Sequence, residues 1–234
     1  MLGFFDSGAG GLYVMAHCIA FLKNKYIYFA DTKNAPFGSK SREEIQKITA
    51  HAVEFLISKG ADTVVIACNT ATAQAIDYVR NLFPVKIIGT EPAVLPAVKA
   101  DEQEIAVLAT PKTLESARYK KLRPADGITD VPCPNLAAFV ENNLFDTGAL
   151  QKKAAEIDGM VDKNAALVLG CTHYLAFKPY LAERNRKVYD SNDGILNIIK
   201  QNTQYKGKST EINIYAGERT DDYEKLLALL LKQY

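Results

Sequence analysis

The chain has 234 residues, 48% hydrophobic and 24% charged, enough to bury a core as one large domain or two ordinary ones. Its 28 basic and 27 acidic residues leave a net charge of +1, which gives no electrostatic footprint for nucleic acid or an anionic membrane and favours a small uncharged or zwitterionic ligand. The opening Met-Leu-Gly-Phe-Phe-Asp-Ser-Gly has no basic flank and no apolar run reaches membrane-spanning length, so a cytoplasmic protein is expected.

Residues 2–5 form a short apolar run that ends in Asp6-Ser7-Gly8-Ala9-Gly10-Gly11, followed by apolar Leu12, Val14 and Met15: strand, glycine-rich turn, helix. The turn fails the dinucleotide pattern G-x-G-x-x-G, which needs glycine at Tyr13, and the Walker lysine is missing. What remains is a tight turn with backbone N–H groups near a helix start, suited to a small carboxylate, with Asp6 and Ser7 at its mouth. A second strand at 26–29 leads to a loop shaped by Pro36 and Gly38. Ser41-Arg-Glu-Glu44 is a capping box opening a helix with Ile45, Ile48, Ala52, Phe55 and Leu56 on one face, ended by Gly60. His51 lies beside that face and has a structural role.

Residues 63–72, Thr-Val-Val-Ile-Ala-Cys-Asn-Thr-Ala-Thr, read as a buried strand whose carboxyl end carries Cys68, Asn69 and Thr70 into a helix with Ala73, Ile76, Val79 and Leu82 on its apolar side. In open α/β sheets ligands sit at such strand ends. A strand at 85–88 and a crossover loop at 89–92 follow, then a polar segment at 99–104.

The pattern then restarts. A strand at 105–108 leads into Thr110-Pro-Lys-Thr113, with Thr110 placed 104 positions after Asp6. A weak strand at 128–131 precedes Cys133, which sits between prolines as a packed thiol, and a short helix carrying Glu141. Residues 150–160 are amphipathic, and 166–169 repeat the strand-to-cysteine grammar with Cys171-Thr172-His173, Cys171 following Cys68 by 103 positions. The segment Val188-Tyr-Asp190-Ser191, a short helix bearing Ile195 and Ile199, a hydrophilic linker at 201–210, a strand at 212–215 and a leucine-rich helix complete the chain. The near-constant offset predicts an α/β fold of two pseudo-symmetric lobes with mainly parallel sheets, the active site lying in the cleft between them. The first lobe is expected at 1–92, rejoined by 206–234, and the second at 93–205.

The four cysteines, 18, 68, 133 and 171, include no C-x-x-C pair, and a reducing compartment keeps them as thiols. Two thiols facing one cleft from opposite lobes suit exchange of hydrogen at the α-carbon of an amino acid: one thiolate removes the proton and the opposite thiol returns one to the other face. Asp6 and His173 are the natural groups to move protons to and from Cys68 and Cys171. A zinc site of Cys68, Cys171 and His173 is possible on ligand type but matches no common zinc spacing, and no lysine stands in a phosphate-binding context for pyridoxal phosphate.

Taken together, Asp6-Ser-Gly-Ala-Gly-Gly-Leu12, Pro36-Phe-Gly38, Ala67-Cys-Asn-Thr-Ala71, Thr110-Pro-Lys-Thr113, Glu141 and Gly170-Cys-Thr-His173 resemble the glutamate racemases of the cofactor-independent aspartate/glutamate racemase superfamily. The resemblance implies glutamate held between the lobes by Asp6, Ser7, Pro36, Phe37, Gly38, Asn69, Thr70, Thr110, Thr113, Thr172 and His173. It implies Cys68, Cys171, Asp6, His173 and Glu141 as the catalytic set, with Cys68 acting on D-glutamate and Cys171 on L-glutamate. It further implies no metal and no cofactor, homodimers, and D-glutamate supplied to peptidoglycan synthesis and hence cell shape. The family has tyrosine where Phe37 stands. A racemase for aspartate or another acidic amino acid, and a non-catalytic amino-acid binder, are the alternatives.

Overall fold

A computed structural model describes residues 1–123, 126–202 and 209–234. The first half runs β1 (Leu2–Asp6), α1 (Gly10–Phe21), β2 (Lys25–Ala30), α2 (Arg42–Ser58), β3 (Thr63–Ile66), α3 (Asn69–Leu82), β4 (Lys86–Gly89) and α4 (Val94–Lys99). The second runs β5 (Ile105–Ala109), α5 (Pro111–Leu114), α6 (Ala117–Leu122), β6 (Ile128–Pro132), α7 (Leu136–Asn142), α8 (Thr147–Gly159), β7 (Ala166–Leu169), α9 (Lys178–Ala182), β8 (Val188–Tyr189) and α10 (Asn192–Asn202). Strand β9 (Glu211–Tyr215) and helix α11 (Thr220–Leu231) close the chain. Most of the predicted linker at 201–210, and the boundary expected at 205–206, lie outside the described residues.

Two all-parallel sheets result, ordered β4-β3-β1-β2-β9 and β6-β5-β7-β8. Counted within each half, both have the order second, first, third, fourth, so β1 corresponds to β5 and β3 to β7. This is the pseudo-symmetry that the constant offset predicts. The central strands are buried throughout, as their unbroken apolar runs require of strands covered on both faces. Strand β9 pairs with β2 from Lys25↔Glu211 to Phe29↔Tyr215, extending the first sheet with residues from the end of the chain.

Local signals explain the helix boundaries near the site. Ser41 Oγ accepts from Glu44 N–H at 3.2 Å while Ser41 N–H donates to Glu44 Oε2 at 2.7 Å, the reciprocal cap that starts α2. Gly60, with φ +96°, turns the chain out of it. Leu82, expected on the buried side of α3, is 51% exposed: the core face is Thr72, Ala75, Ile76 and Val79. Residues 94–99 form α4, which buries only Val94 and Ala97; so narrow an apolar stripe in a segment containing Pro96 gives no periodic signal.

Helix α1 joins the halves. It is apolar on most of its circumference and packs on the 3-10 turn Thr172–Phe177 as well as on α10 and α11. Its buried Leu12, Met15 and Cys18 share one core cluster with Tyr174, Phe177, Ile195, Leu226 and Leu230. At about 1.5–3 kcal/mol per large apolar side chain buried, this shared core fixes one lobe against the other.

Candidate active site

The first-lobe side of the site is built at the ends of β1 and β3. Asp6, the last residue of β1, is fully buried, with Oδ1 accepting from Gly8 N–H at 3.2 Å and from Ser7 Oγ–H at 3.3 Å. Burial holds its carboxyl above the usual aspartate value, opposed by the His173 charge and the Thr172 hydrogen bond. Two residues beyond β3, Cys68 caps α3 with its sulfur, which accepts from Ala71 N–H at 3.5 Å and lies 3.9 Å from Ser7 Oγ. Burial pushes this thiol well up, and the Asp6 charge adds to the effect, while the Ala71 and Ser7 contacts work against it.

The second-lobe side begins two residues beyond β7. Cys171 Sγ lies 3.9 Å from His173 Nδ1, and His173 Nε2 is 2.7 Å from Glu141 Oε1. Burial alone would lower the His173 pKa, but its contacts with Cys171 and Glu141 carry it well above the usual 6.5 and favour the protonated ring. Burial works to raise Glu141, and the contacts with His173, Ala9 N–H and Tyr223 overcome it and keep the carboxylate ionised. Thr172 Oγ1 donates to Asp6 Oδ2 at 2.9 Å, linking the two sides through a buried hydrogen bond.

The glycine-rich turn has a purpose different from the expected one. Its helix start does receive a carboxylate, but that of Glu141, whose Oε1 accepts from Ala9 N–H at 2.6 Å. A Cβ on Gly8 would stand 2.0 Å from that same oxygen, and one on Gly10 would stand 2.4 Å from Thr172 Oγ1 and 2.6 Å from His173 N. The glycines let β1 and α1 lie directly against the second lobe. A ligand carboxylate finds this position already filled.

Both sulfurs border one cavity of about 510 Å³. Ser7, Pro36, Phe37, Gly38, Thr70, Thr110, Glu141 and His173 line it with them, whereas Asp6, Asn69, Thr113 and Thr172 are buried behind the lining. Thr70 Oγ1 and Thr110 Oγ1 are 2.9 Å apart, with Thr113 Oγ1 at 3.0 Å from Thr110, so three hydroxyls meet across the lobes. Asn69 Nδ2 is buried with no hydrogen-bond partner among the described residues. Phe37 packs on Phe5, ring centres 6.2 Å apart, inside the first-lobe core. Cys133, expected as mere packing, is buried but borders the cavity beside Asn135, and burial raises its thiol pKa to about 11.

Among the lining residues that escape sequence reasoning are Arg219 and Tyr223, at the start of α11 and within it. Tyr223 donates to Glu141 Oε2 at 2.9 Å, and Arg219 Nη2 donates to the Glu141 carbonyl at 3.3 Å. Nothing local marks either, because α11 reads as an ordinary amphipathic helix whose buried face is Tyr223, Leu226, Leu227 and Leu230. No group of three His, Cys, Asp or Glu side chains that could hold a metal ion occurs among the described residues.

Residues 11–197 match the family described as Asp/Glu/Hydantoin racemase. The chain belongs to that family. Among its curated members, the glutamate racemase of Clostridium botulinum (strain Alaska E43 / Type E3) is 40% identical over 97% of this chain and 96% of its own length. The crystal structure of glutamate racemase from Campylobacter jejuni is 27% identical, with a TM-score of 0.81 over 99% of this chain and 98% of its own. Glutamate racemase from Francisella tularensis, solved in complex with D-glutamate, is 28% identical, with a TM-score of 0.77 over 99% of this chain and 93% of its own. For a racemase of this family, two sulfurs bordering one cavity are the chemically significant feature.

Proposed function

We propose that this protein interconverts L- and D-glutamate by proton transfer at the α-carbon, with Cys68 and Cys171 as the two acid–base groups and no cofactor. The observation that carries the reading is that both cysteines, each two residues past an equivalent strand of its own sheet, border the same cavity. One sulfur enters each turnover as thiolate and takes the Cα proton, leaving the C–H electron pair on a carbanion conjugated with the substrate carboxyl group. The opposite S–H then gives its proton to the other face of that carbon. No electrons are transferred, and the centre is inverted.

The environment suits each step. A water-excluded site with oriented hydrogen-bond donors strengthens the electrostatics that hold a carbanion. Ser7 and Asp6 stand behind Cys68, and His173 stands 3.9 Å from Cys171 to relay protons. Thr70 and Thr110 offer hydroxyls to a substrate carboxylate, and Pro36, Phe37 and Gly38 also line the cavity.

In this reading the chain works in the cytoplasm as a homodimer and supplies D-glutamate for peptidoglycan; among the described residues no helix is long and apolar enough to cross a membrane. Cys68→Ala and Cys171→Ala are each expected to lower racemization of glutamate by roughly 10²–10⁴-fold, the usual worth of a positioned acid or base, with near-normal melting. Racemization at the parent rate in either variant would refute the two-thiol scheme. Parallel assays with aspartate test the alternative acidic substrate.

A further inference from the structure

We propose that Tyr223, on the C-terminal helix α11, is a positioning residue of the acid–base machinery: its phenol fixes Glu141, which in turn orients His173 against Cys171. The chain of contacts is continuous. Tyr223 OH donates to Glu141 Oε2 at 2.9 Å, the other Glu141 oxygen meets His173 Nε2 at 2.7 Å, and His173 Nδ1 is 3.9 Å from Cys171 Sγ. Tyr223 itself has no exposed surface.

The division of partners on Glu141 makes the role specific. Oε1 is held by Ala9 N–H and by His173, both inherent to the packing of α1 on the second lobe. Oε2 has Tyr223 as its close donor, the Arg219 guanidinium standing 4.0 Å away and engaged by Asp222 at 3.0 Å. Without the phenol Oε2 loses its close donor, the carboxylate is held through Oε1 alone with Arg219 4.0 Å from the other oxygen, and the plane that orients the His173 ring is less firmly fixed. Tyr223 also helps keep Glu141 ionised, alongside His173. The other titratable groups that face this centre are Asp6, Tyr13 and Tyr28, besides Arg219.

The proposal rests on the racemase reading for its kinetic test and is independent of it for its spectroscopic one. Tyr223→Phe retains the ring and removes one oxygen. The variant is expected to lower kcat/KM equally for both enantiomers, as an equilibrium constant of one demands, by about tenfold or more, the size set by one hydrogen bond to a charged group. Most of the loss is expected in kcat, and the acidic limb of the pH profile should move to higher pH because Glu141 protonates more readily. In a Glu141→Gln background the same substitution should cost little, since the residue it acts through is already changed. Nitrogen NMR of the His173 ring gives the readout that needs no turnover: the acidic transition that reports Glu141 should move up in Tyr223→Phe. An unmoved transition, or equal losses in the two backgrounds, would show that Tyr223 is packing alone and overturn the proposal. A wild-type protein that leaves glutamate unchanged would refute the racemase reading while leaving the NMR result to decide this one.

Discussion

Glu141 concentrates the electrostatics of the site on one side chain, receiving Ala9 N–H, His173 and Tyr223. Its pKa lies below the usual 4.5, so its contribution to stability is present above that pH and is lost as pH falls through the lowered value. His173 is shifted the other way, so its contribution is complete below 6.5 and is lost as pH rises through its raised value. Glu141→Gln should therefore melt lowest relative to the parent between pH 4.5 and 6.5, by about 2 kcal/mol, a buried pair's worth discounted for the carboxylate's partial exposure. The difference should shrink on either side, and thermal melts from pH 3 to 10 test this; a constant offset would contradict it. Sequence reasoning finds Cys68, Cys171 and His173 because they follow apolar strands at a repeated offset. It finds Glu141 only through family resemblance, since a lone glutamate in a short helix carries no spacing signal, and it misses Tyr223 because a buried tyrosine on an amphipathic helix looks like packing.

At the scale of elements, the turn between β1 and α1 has no spare volume. A Cβ on Gly10 meets Thr172 Oγ1 at 2.4 Å and the His173 backbone at 2.6 Å, so Gly10→Ala must push α1 away from the 3-10 turn that carries His173. A loss of about 1–3 kcal/mol is expected from overpacking, together with loss of activity, measurable by urea unfolding and by racemization assay. Gly194, in the first turns of α10, is the opposite case: nothing lies within 4 Å of the position of its Cβ. Gly194→Ala should raise stability by about 0.5–1 kcal/mol, since alanine is the better helix former. The strands and the long helices are legible in the sequence because period and capping agree, as in Ser41–Glu44. The short elements α4, α6 and α9 are not, because five or six residues hold too few turns for a period to register.

Across the whole molecule, the doubled arrangement is legible because equivalent strand ends recur 103 or 104 residues apart, and the topology repeats with them. The intimacy of the two halves is not legible, because α1 contacts its neighbours through side chains that would suit any core. With Leu12, Met15 and Cys18 in one cluster with α10 and α11, the halves should unfold together. Urea transitions followed by far-ultraviolet circular dichroism and by the fluorescence of the 12 tyrosines, there being no tryptophan, should coincide. Two separated transitions would mean that the lobes are independent. The central claim is that Cys68 and Cys171 serve one carbon from opposite faces, and incubation of the protein with pure L-glutamate in deuterated water tests it most directly. The account predicts that optical rotation decays to zero while each D-glutamate formed carries solvent deuterium at the α-carbon. Retention of optical rotation, or D-glutamate formed with its original hydrogen in early turnovers, would contradict it.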